Sequence, residues 1–259
     1  MKPCLFLLLL ITPAVTTYAQ QKVAEIPLPP GYERIAQERN SFGAWLRNCT
    51  LKSDKTVYLY NGAPKKNQQA QYAVLDVSVG NKDLQQCADA VIRLRAEYLY
   101  SKGQAEAISF KATDGTSMDF SGWQNGYRFV LQQGKLVRKR TAAPAQGRPL
   151  FDKYLETVFS YAGTVSLSRE LKAVQATKNV KPGDVFIQGG SPGHAVIVMD
   201  VAQNRQGKKI FLLAQSYMPA QNIHVLKNPA SNTPWYDTDF GSRLFTPEWV
   251  FNEGSLKQW

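Results

Sequence analysis

Three side chains that lie far apart in this sequence have the types needed for thiol chemistry: Cys87, His194 and Gln215. A thiol attacks a carbonyl carbon as thiolate, so a nucleophilic cysteine needs help to lose its proton. A helix N-terminus gives part of that help through its partial positive charge and unsatisfied amides, and a neighbouring imidazole gives the rest. The residues around Cys87 predict a helix whose first turn contains it, and there its backbone N–H is a candidate oxyanion donor. His194 opens an apolar run, His194 to Val201, that reads as a strong strand. An imidazole base also needs a third group to fix its tautomer and orientation. If the next strand, Lys209 to Ser216, folds back with Lys209 near Val201, His194 lies opposite Ser216 with Gln215 one place away. Gln215 is the preferred partner, because its side-chain carbonyl accepts an imidazole N–H, and Ser216 is the second choice. Asp200 has the same parity as His194 but lies roughly 20 Å along the strand, which sets it aside.

Each of these residues also has a purely structural reading. Cys87 falls on an apolar helix stripe, where it fits a core thiol or one half of a disulfide with Cys49. His194, between Gly193 and Ala195, fits a loop hydrogen bond, and Gln215 by itself signals little. His224, between Ile223 and Val225, reads as a residue on a strand face. Two histidines with cysteines at 49 and 87 match no zinc spacing, so no metal is expected. Gly189-Gly190 precedes a strand and not a helix, so no phosphate-binding loop and no cofactor are expected.

The elements that must position these side chains follow from local pattern. Ser41 is placed to cap a short helix, Phe42 to Arg47. Thr56 to Tyr60 and Tyr72 to Val79 read as neighbouring strands or a hairpin. Asp83 with Gln86 three residues on gives a capping-box pattern, after which Ala88, Val91, Leu94 and Tyr98 recur at helical spacing until Gly103. Ile108 to Phe110 and Gly126 to Leu131 read as strands, and the stretch 108–148, ending in the basic run Lys135 to Arg140 and a Pro/Gly/Ala-rich connection, reads as an inserted excursion. Phe151 to Tyr161 and a segment from Ser166 or Ser168 to about Val174 read as helices. A last strand is expected at Ile223 to Leu226, with the aromatic tail from Asn228 packed on the body. Helices mixed with antiparallel hairpins make the expected fold class α+β, in a single domain spanning 20–259.

The N-terminus carries Lys2, the apolar run Leu5 to Ile11 and then Thr17-Tyr18-Ala19, which together read as a secretory signal peptide over 1–19. Cys4 sits too early for a lipid-attachment cysteine. No later stretch is apolar over the length a membrane helix needs. The expected product is exported, to a periplasm or outside the cell, where Cys49 and Cys87 would meet an oxidising compartment. With 31 Lys and Arg against 20 Asp and Glu, the formal charge is +11. That surface favours anionic neighbours, and for an exported chain envelope polymers come before nucleic acid, for which no recognition motif is present.

The runs Gln86-Cys87-Ala88-Asp89 through Arg93 to Tyr98, Gly183 to Val201, Leu213 to Pro219, Ser41 to Arg47 and Thr246-Pro247-Glu248-Trp249 resemble a bacterial secreted-protein family catalogued as a domain of unknown function, number 4846. More distantly, a helix-starting cysteine followed by Pro182-Gly183-Asp184-Val185-Phe186 and Gly193-His194-Ala195-Val196-Ile197-Val198 is similar to the papain-like NlpC/P60 and CHAP peptidases and amidases of bacterial cell walls. That similarity implies a papain-like scaffold with Cys87 as nucleophile, His194 as base and Gln215 as the orienting residue. The sequence departs from those groups in having Gln86 where they commonly have Asp, a long gap from Cys87 to His194, and a glutamine as third member. The resulting expectation is a thiol hydrolase acting on an envelope or peptidoglycan-type amide bond. The alternative is a non-catalytic envelope-binding protein on the same scaffold.

Overall fold

The computed structural model describes residues 22–259, so the expected signal peptide and Cys4 lie outside the described residues. In chain order the helices are α1 (Phe42–Arg47), α2 (Cys87–Ser101), α3 (Phe120–Gln124), α4 (Arg148–Tyr161) and α5 (Thr164–Glu170). The strands are β1 (Tyr32–Arg34), β2 (Gln71–Val74), β3 (Ser109–Lys111), β4 (Ser117–Asp119), β5 (Tyr127–Gln132), β6 (Lys135–Arg140), β7 (Lys172–Ala173), β8 (Val185–Gln188), β9 (His194–Asn204), β10 (Lys209–Gln215), β11 (His224–Leu226), β12 (Trp235–Asp237), β13 (Arg243–Phe245), β14 (Val250–Asn252) and β15 (Leu256–Gln258). The result is a mixed α+β fold whose strand pairs are antiparallel.

A nine-stranded sheet dominates, in the order β2-β11-β10-β9-β8-β15-β7, with β1 added beside β9 and β12 beside β10. Its centre is buried on both sides. Val185, Ile187, Ala195, Ile197, Leu212 and Ala214 face the helices and belong to one core cluster with Ala88, Val91, Leu94 and the aromatic side chains of α4. Phe186, Val196, Val198, Phe211 and Leu213 face the opposite way and are covered by Tyr236, Leu244 and Phe251 from the tail. Burial on both faces explains why β9 and β10 read as continuous apolar runs without strand alternation. The tail is therefore built into the sheet and its second layer, since β15 sits between β8 and β7.

The local expectations are met at some elements and corrected at others. Ser41 does cap α1, accepting from Ala44 N at 3.2 Å. The hairpin expected of Thr56–Tyr60 with Tyr72–Val79 does not form. β2 pairs with β11, while Tyr58 and Leu59 make only isolated bridges, and the amides of Tyr58, Leu59 and Tyr60 donate to Asn222 Oδ1 and to the carbonyl oxygens of Ala63 and Ala220. The helix expected from Ser166 or Ser168 starts at Thr164, and Lys172–Ala173 is already strand. The stretch 108–148 forms two small ladders, β3–β4 and β5–β6, around α3. Its Phe110, Met118, Phe120, Trp123, Phe129 and Leu136 join the same core cluster as α2 and α4.

The register of β9 against β10 changes once. Lys209 pairs with Gln203 and Leu212 with Asp200, but Leu213 then pairs with Val198, so one residue of β9 is bulged out. Asp200, fully buried at this bulge, accepts from Arg34 Nε at 2.8 Å, Arg47 Nε at 2.9 Å and Val201 N at 2.8 Å. The two guanidiniums also reach the carbonyl oxygens of Ile26 and Ile35. The carboxylate thereby ties the N-terminal segment and α1 to the centre of the sheet. Removing one partner of a buried charge group leaves the others uncompensated. Asp200→Ala should lower stability by about 3–5 kcal/mol, read from urea denaturation at unchanged m-value; a loss below about 1 kcal/mol would show that the bulge holds without its ion pairs.

Candidate active site

Cys87 is the first residue of α2, one turn later than the expected capping pattern placed the helix start. Gln86, not Asp83, is the N-cap, and its backbone N–H donates to Asp89 Oδ2 at 3.0 Å. Asp83 is used elsewhere: its Oδ1 accepts from Ala220 N at 2.7 Å and from Gln86 Nε2 at 3.2 Å. Ser216 Oγ lies 2.9 Å from the carbonyl oxygens of both Gln85 and Gln221. The connection after β10 is thus strapped to the loop that leads into Cys87, and Ser216 is committed to that strap and not to His194.

The thiol is 7% exposed, and Cys49 and Cys87 are both free. Burial first, and the neighbouring Asp89 carboxyl second, push the Cys87 thiol up to about 11. The amides of Ala88, Ala195 and Cys87 itself pull the other way without prevailing. The depressed thiol expected at a helix N-terminus is therefore not what this site holds, because desolvation outweighs the helix end. Asp89 is itself raised to about 8 by burial.

The amide of Ala195 that faces the Cys87 sulfur belongs to the residue after His194. His194 opens β9, paired with Gln188, and its ring is packed among Tyr217, Trp249 and Phe251, with centroids 4.8, 5.2 and 5.9 Å away. Its Nε2 lies 2.8 Å from Gln215 Oε1. Gln215 Nε2 donates to Glu248 Oε2 at 2.8 Å and lies 3.4 Å from His224 Nε2. Glu248 is held by Lys65 Nζ at 2.5 Å and Asn67 Nδ2 at 3.1 Å.

These bonds fix protons as well as positions. His224 Nδ1 is 2.9 Å from the Asn222 carbonyl, so it carries the hydrogen and leaves Nε2 as an acceptor. The two hydrogens of the Gln215 amide nitrogen are then taken by Glu248 and His224, and Oε1 must face His194. Since Oε1 accepts only, His194 carries its hydrogen on Nε2, and Nδ1 keeps a lone pair. Burial is the first cause that lowers His194 to about 4, opposed by the Gln215 bond and the Glu248 charge. His224 is lowered to about 3, by burial and then by Lys65. At neutral pH the site holds a thiol and two neutral imidazoles.

His194 and Gln215 are brought into direct contact, and Cys87 reaches the same strand end from the helix side. Asp200 is occupied by its two arginines. The sequence reading missed Glu248 and Lys65, and it gave His224 no part in the network. The signal for Glu248 was present in Thr246-Pro247-Glu248-Trp249, a closed turn in which Thr246 N donates to the Trp249 carbonyl at 2.8 Å and Trp249 N donates to Thr246 Oγ1 at 3.1 Å. Gln85 was missed too: it is 1% exposed, its Oε1 accepts from Arg93 at 3.3 Å, and its Nε2 has no hydrogen-bond partner. A cavity of about 270 Å³ is lined in part by Leu84, Gln85, Arg93 and Arg148 and so adjoins the loop before Cys87. A larger one of about 760 Å³, around Gly103–Ala107 and Pro144–Gln146, includes none of the candidate residues. Among the described residues no group of three or more His, Cys, Asp or Glu side chains is placed to hold a metal ion.

The buried groups give stability a pH dependence of two signs. Asp89 is raised in the folded state above the ~3.9 of an unfolded aspartate, so its contribution is complete below about pH 4 and is lost as pH rises through about 8. The histidines are depressed, so their contribution is complete above about pH 6.5 and is lost as pH falls through about 4 and about 3. Asp89→Asn should flatten the decline in urea midpoint between about pH 4 and 8 while leaving the acid decline in place. The same change removes the charge that raises Cys87, so alkylation of Cys87 by iodoacetamide should become faster at pH 9. An unchanged rate would mean that burial alone sets the thiol.

A family model described as a domain of unknown function (4846) matches residues 23–258. No curated protein and no solved structure matches the chain. With all but the ends of the described chain under that one model, the protein belongs to the family of the domain of unknown function 4846.

Proposed function

We propose that the protein is a papain-like thiol hydrolase, a peptidase or amidase, that cleaves an amide bond of a peptide-containing envelope polymer of the peptidoglycan type. Cys87 is the nucleophile, His194 the base and Gln215 the orienting residue. The observation that carries this reading is the 2.8 Å contact between His194 Nε2 and Gln215 Oε1. It leaves Nδ1 unprotonated on the residue that precedes Ala195, whose amide faces the Cys87 sulfur. The leader-like residues 1–19 support export, and the +11 charge suits an acidic wall polymer.

Because the resting pair is neutral, His194 acts as a general base. Nδ1 takes the thiol proton as sulfur adds to the carbonyl carbon, and the imidazolium then gives that proton to the departing amine. Water, deprotonated by the same nitrogen, releases the acyl group from sulfur. Gln215 Oε1 and the Glu248 charge stabilise the transient imidazolium. The oxyanion is met by Cys87 N–H at the start of α2 and by Gln85 Nε2, a buried donor that otherwise loses about 1–3 kcal/mol by standing unpaired.

One observation favours a second reading, a non-catalytic envelope-binding protein on the same scaffold. Cys87 is buried and its thiol is raised to about 11, as for an inert core cysteine.

Turnover of soluble wall peptides, followed by mass spectrometry, separates the two. Cys87→Ala should abolish product while leaving the thermal melt unchanged, and His194→Ala should cost on the order of 10²–10⁴ in kcat. Glu248→Gln frees the Gln215 amide to flip and should lower kcat with little change in KM. The kcat/KM profile should fall on the acid side only as pH approaches about 4, where His194 is protonated. Turnover that survives Cys87→Ala would sink the mechanism. If a peptidyl chloromethyl ketone leaves Cys87 unlabelled and the Cys87→Ala protein still sediments with wall sacculi, the binding reading stands instead.

A further inference from the structure

β5 and β6 pair only with each other, closed by Gln133 and Gly134 in the left-handed region at φ 49° and 79°. Two successive left-handed residues give the tight hairpin turn that matches strand twist. The root of this hairpin is fixed to the body. Phe129 and Leu136 are buried, Phe129 stacks with Trp123 at 6.2 Å, and the Arg128 guanidinium lies 4.1 Å from the Trp123 ring centre. Arg138 lies 4.0 Å from the Tyr127 ring centre and pairs with Asp119 at 3.0 Å.

The register assigns the opposite face. Arg128 pairs with Lys139, Val130 with Val137 and Gln132 with Lys135, so these six share the face turned away from Phe129 and Leu136. An apolar pair is thus bracketed by cations. Val130 is 37% exposed; Leu131, paired with Leu136 on the other face, is 57% exposed because it lies at the tip, and the two are among the six exposed large hydrophobic residues of the described residues. From Gly126 to Arg140 the sequence has five Lys or Arg and no carboxylate.

We propose that this hairpin docks on an anionic lipid bilayer. Val130 and Val137 enter the boundary between headgroups and acyl chains together with Leu131, which reaches it from the hairpin tip, while Lys135 and Lys139 meet lipid phosphates. Charge complementarity selects an anionic partner, and the exposed aliphatic side chains select a bilayer over a polymer. A flexible polyanion would engage the cations and leave Val130 and Leu131 in water. A bilayer satisfies both, because the cationic stems lie along the apolar region and their heads stay at the phosphates. The inference is independent of any role for Cys87.

The test is sedimentation of the mature protein with vesicles of phosphatidylcholine alone and of phosphatidylcholine with one third phosphatidylglycerol. Binding should require the anionic lipid and weaken with added salt. The pair Lys135→Glu and Lys139→Glu should lower affinity on the order of tenfold or more. The uncharged pair Val130→Ser and Leu131→Ser should lower it several-fold, and Leu131→Trp should show a blue-shifted emission on vesicles. These positions are exposed, and circular-dichroism melts check that the fold is kept. Absence of binding to anionic vesicles overturns the proposal. So does binding that ignores the serine substitutions and is matched by dextran sulfate, which would make the hairpin a polyanion surface.

Discussion

The single-residue bulge in β9 sets the geometry on which the rest of the site depends. Side chains alternate across a strand with a period of two, so inserting one residue exchanges the faces beyond it. Before the bulge, Leu212 is opposite Asp200; after it, Ala214 is opposite Ile197. The shift turns His194, Val196 and Val198 to the face that carries Phe211, Leu213 and Gln215. Without it, His194 would point toward the helices and the imidazole would have no side-chain acceptor. A bulged residue disrupts the ladder locally; here Met199 is left without a partner, and Asp200 beside it is held by two arginines and a backbone amide. Fold and site are therefore tied at one place: the ion pairs that hold α1 and the N-terminal segment also hold the register that aims His194.

Electrostatics at the site are decided by burial more than by the helix end. A helix N-terminus stabilises an anion by at most about 2 kcal/mol in partly buried settings. Desolvation acts on both the thiol and the imidazole in the direction of the neutral form, and Asp89 adds to it on the cysteine side. The charges that remain are set further out, in Glu248 and Lys65, where they pair with each other. The imidazole is thus oriented by a neutral amide, and that amide is oriented by an ion. A carboxylate directly against His194 would raise its basicity and hold it protonated; the interposed glutamine keeps the ring neutral while preserving its direction.

Local signals in the sequence were sufficient for much of this. Ser41, the helical repeat from Ala88 to Tyr98 and the apolar runs after Gly183 and Lys209 all correspond to elements in the structure. The association of His194 with Gln215 was also legible, although the register used to reach it omitted the bulge and would have placed the two side chains on opposite faces. The omission has a physical cause: β9 is buried on both sides, so its sequence shows no alternation from which a change of phase could be read. Thr56 to Tyr60 has strand-like composition, but its backbone is taken by Asn222 and Ala220, which only the tertiary fold brings near. Thr246-Pro247-Glu248-Trp249 marked the turn that holds Glu248, but not its place in the network, since nothing local distinguishes a carboxylate aimed into a network from one left in water.

The Lys65–Glu248 pair closes a loop of 183 residues. Closing a loop of that length costs chain entropy before the contact rewards it. Until it closes, the Gln215 amide is free to rotate and the imidazole has no preferred tautomer. A chain cut in the tail would keep the thiol and the histidine and lose the carboxylate that directs the Gln215 amide. The arrangement of the whole network is coupled to the completeness of the fold.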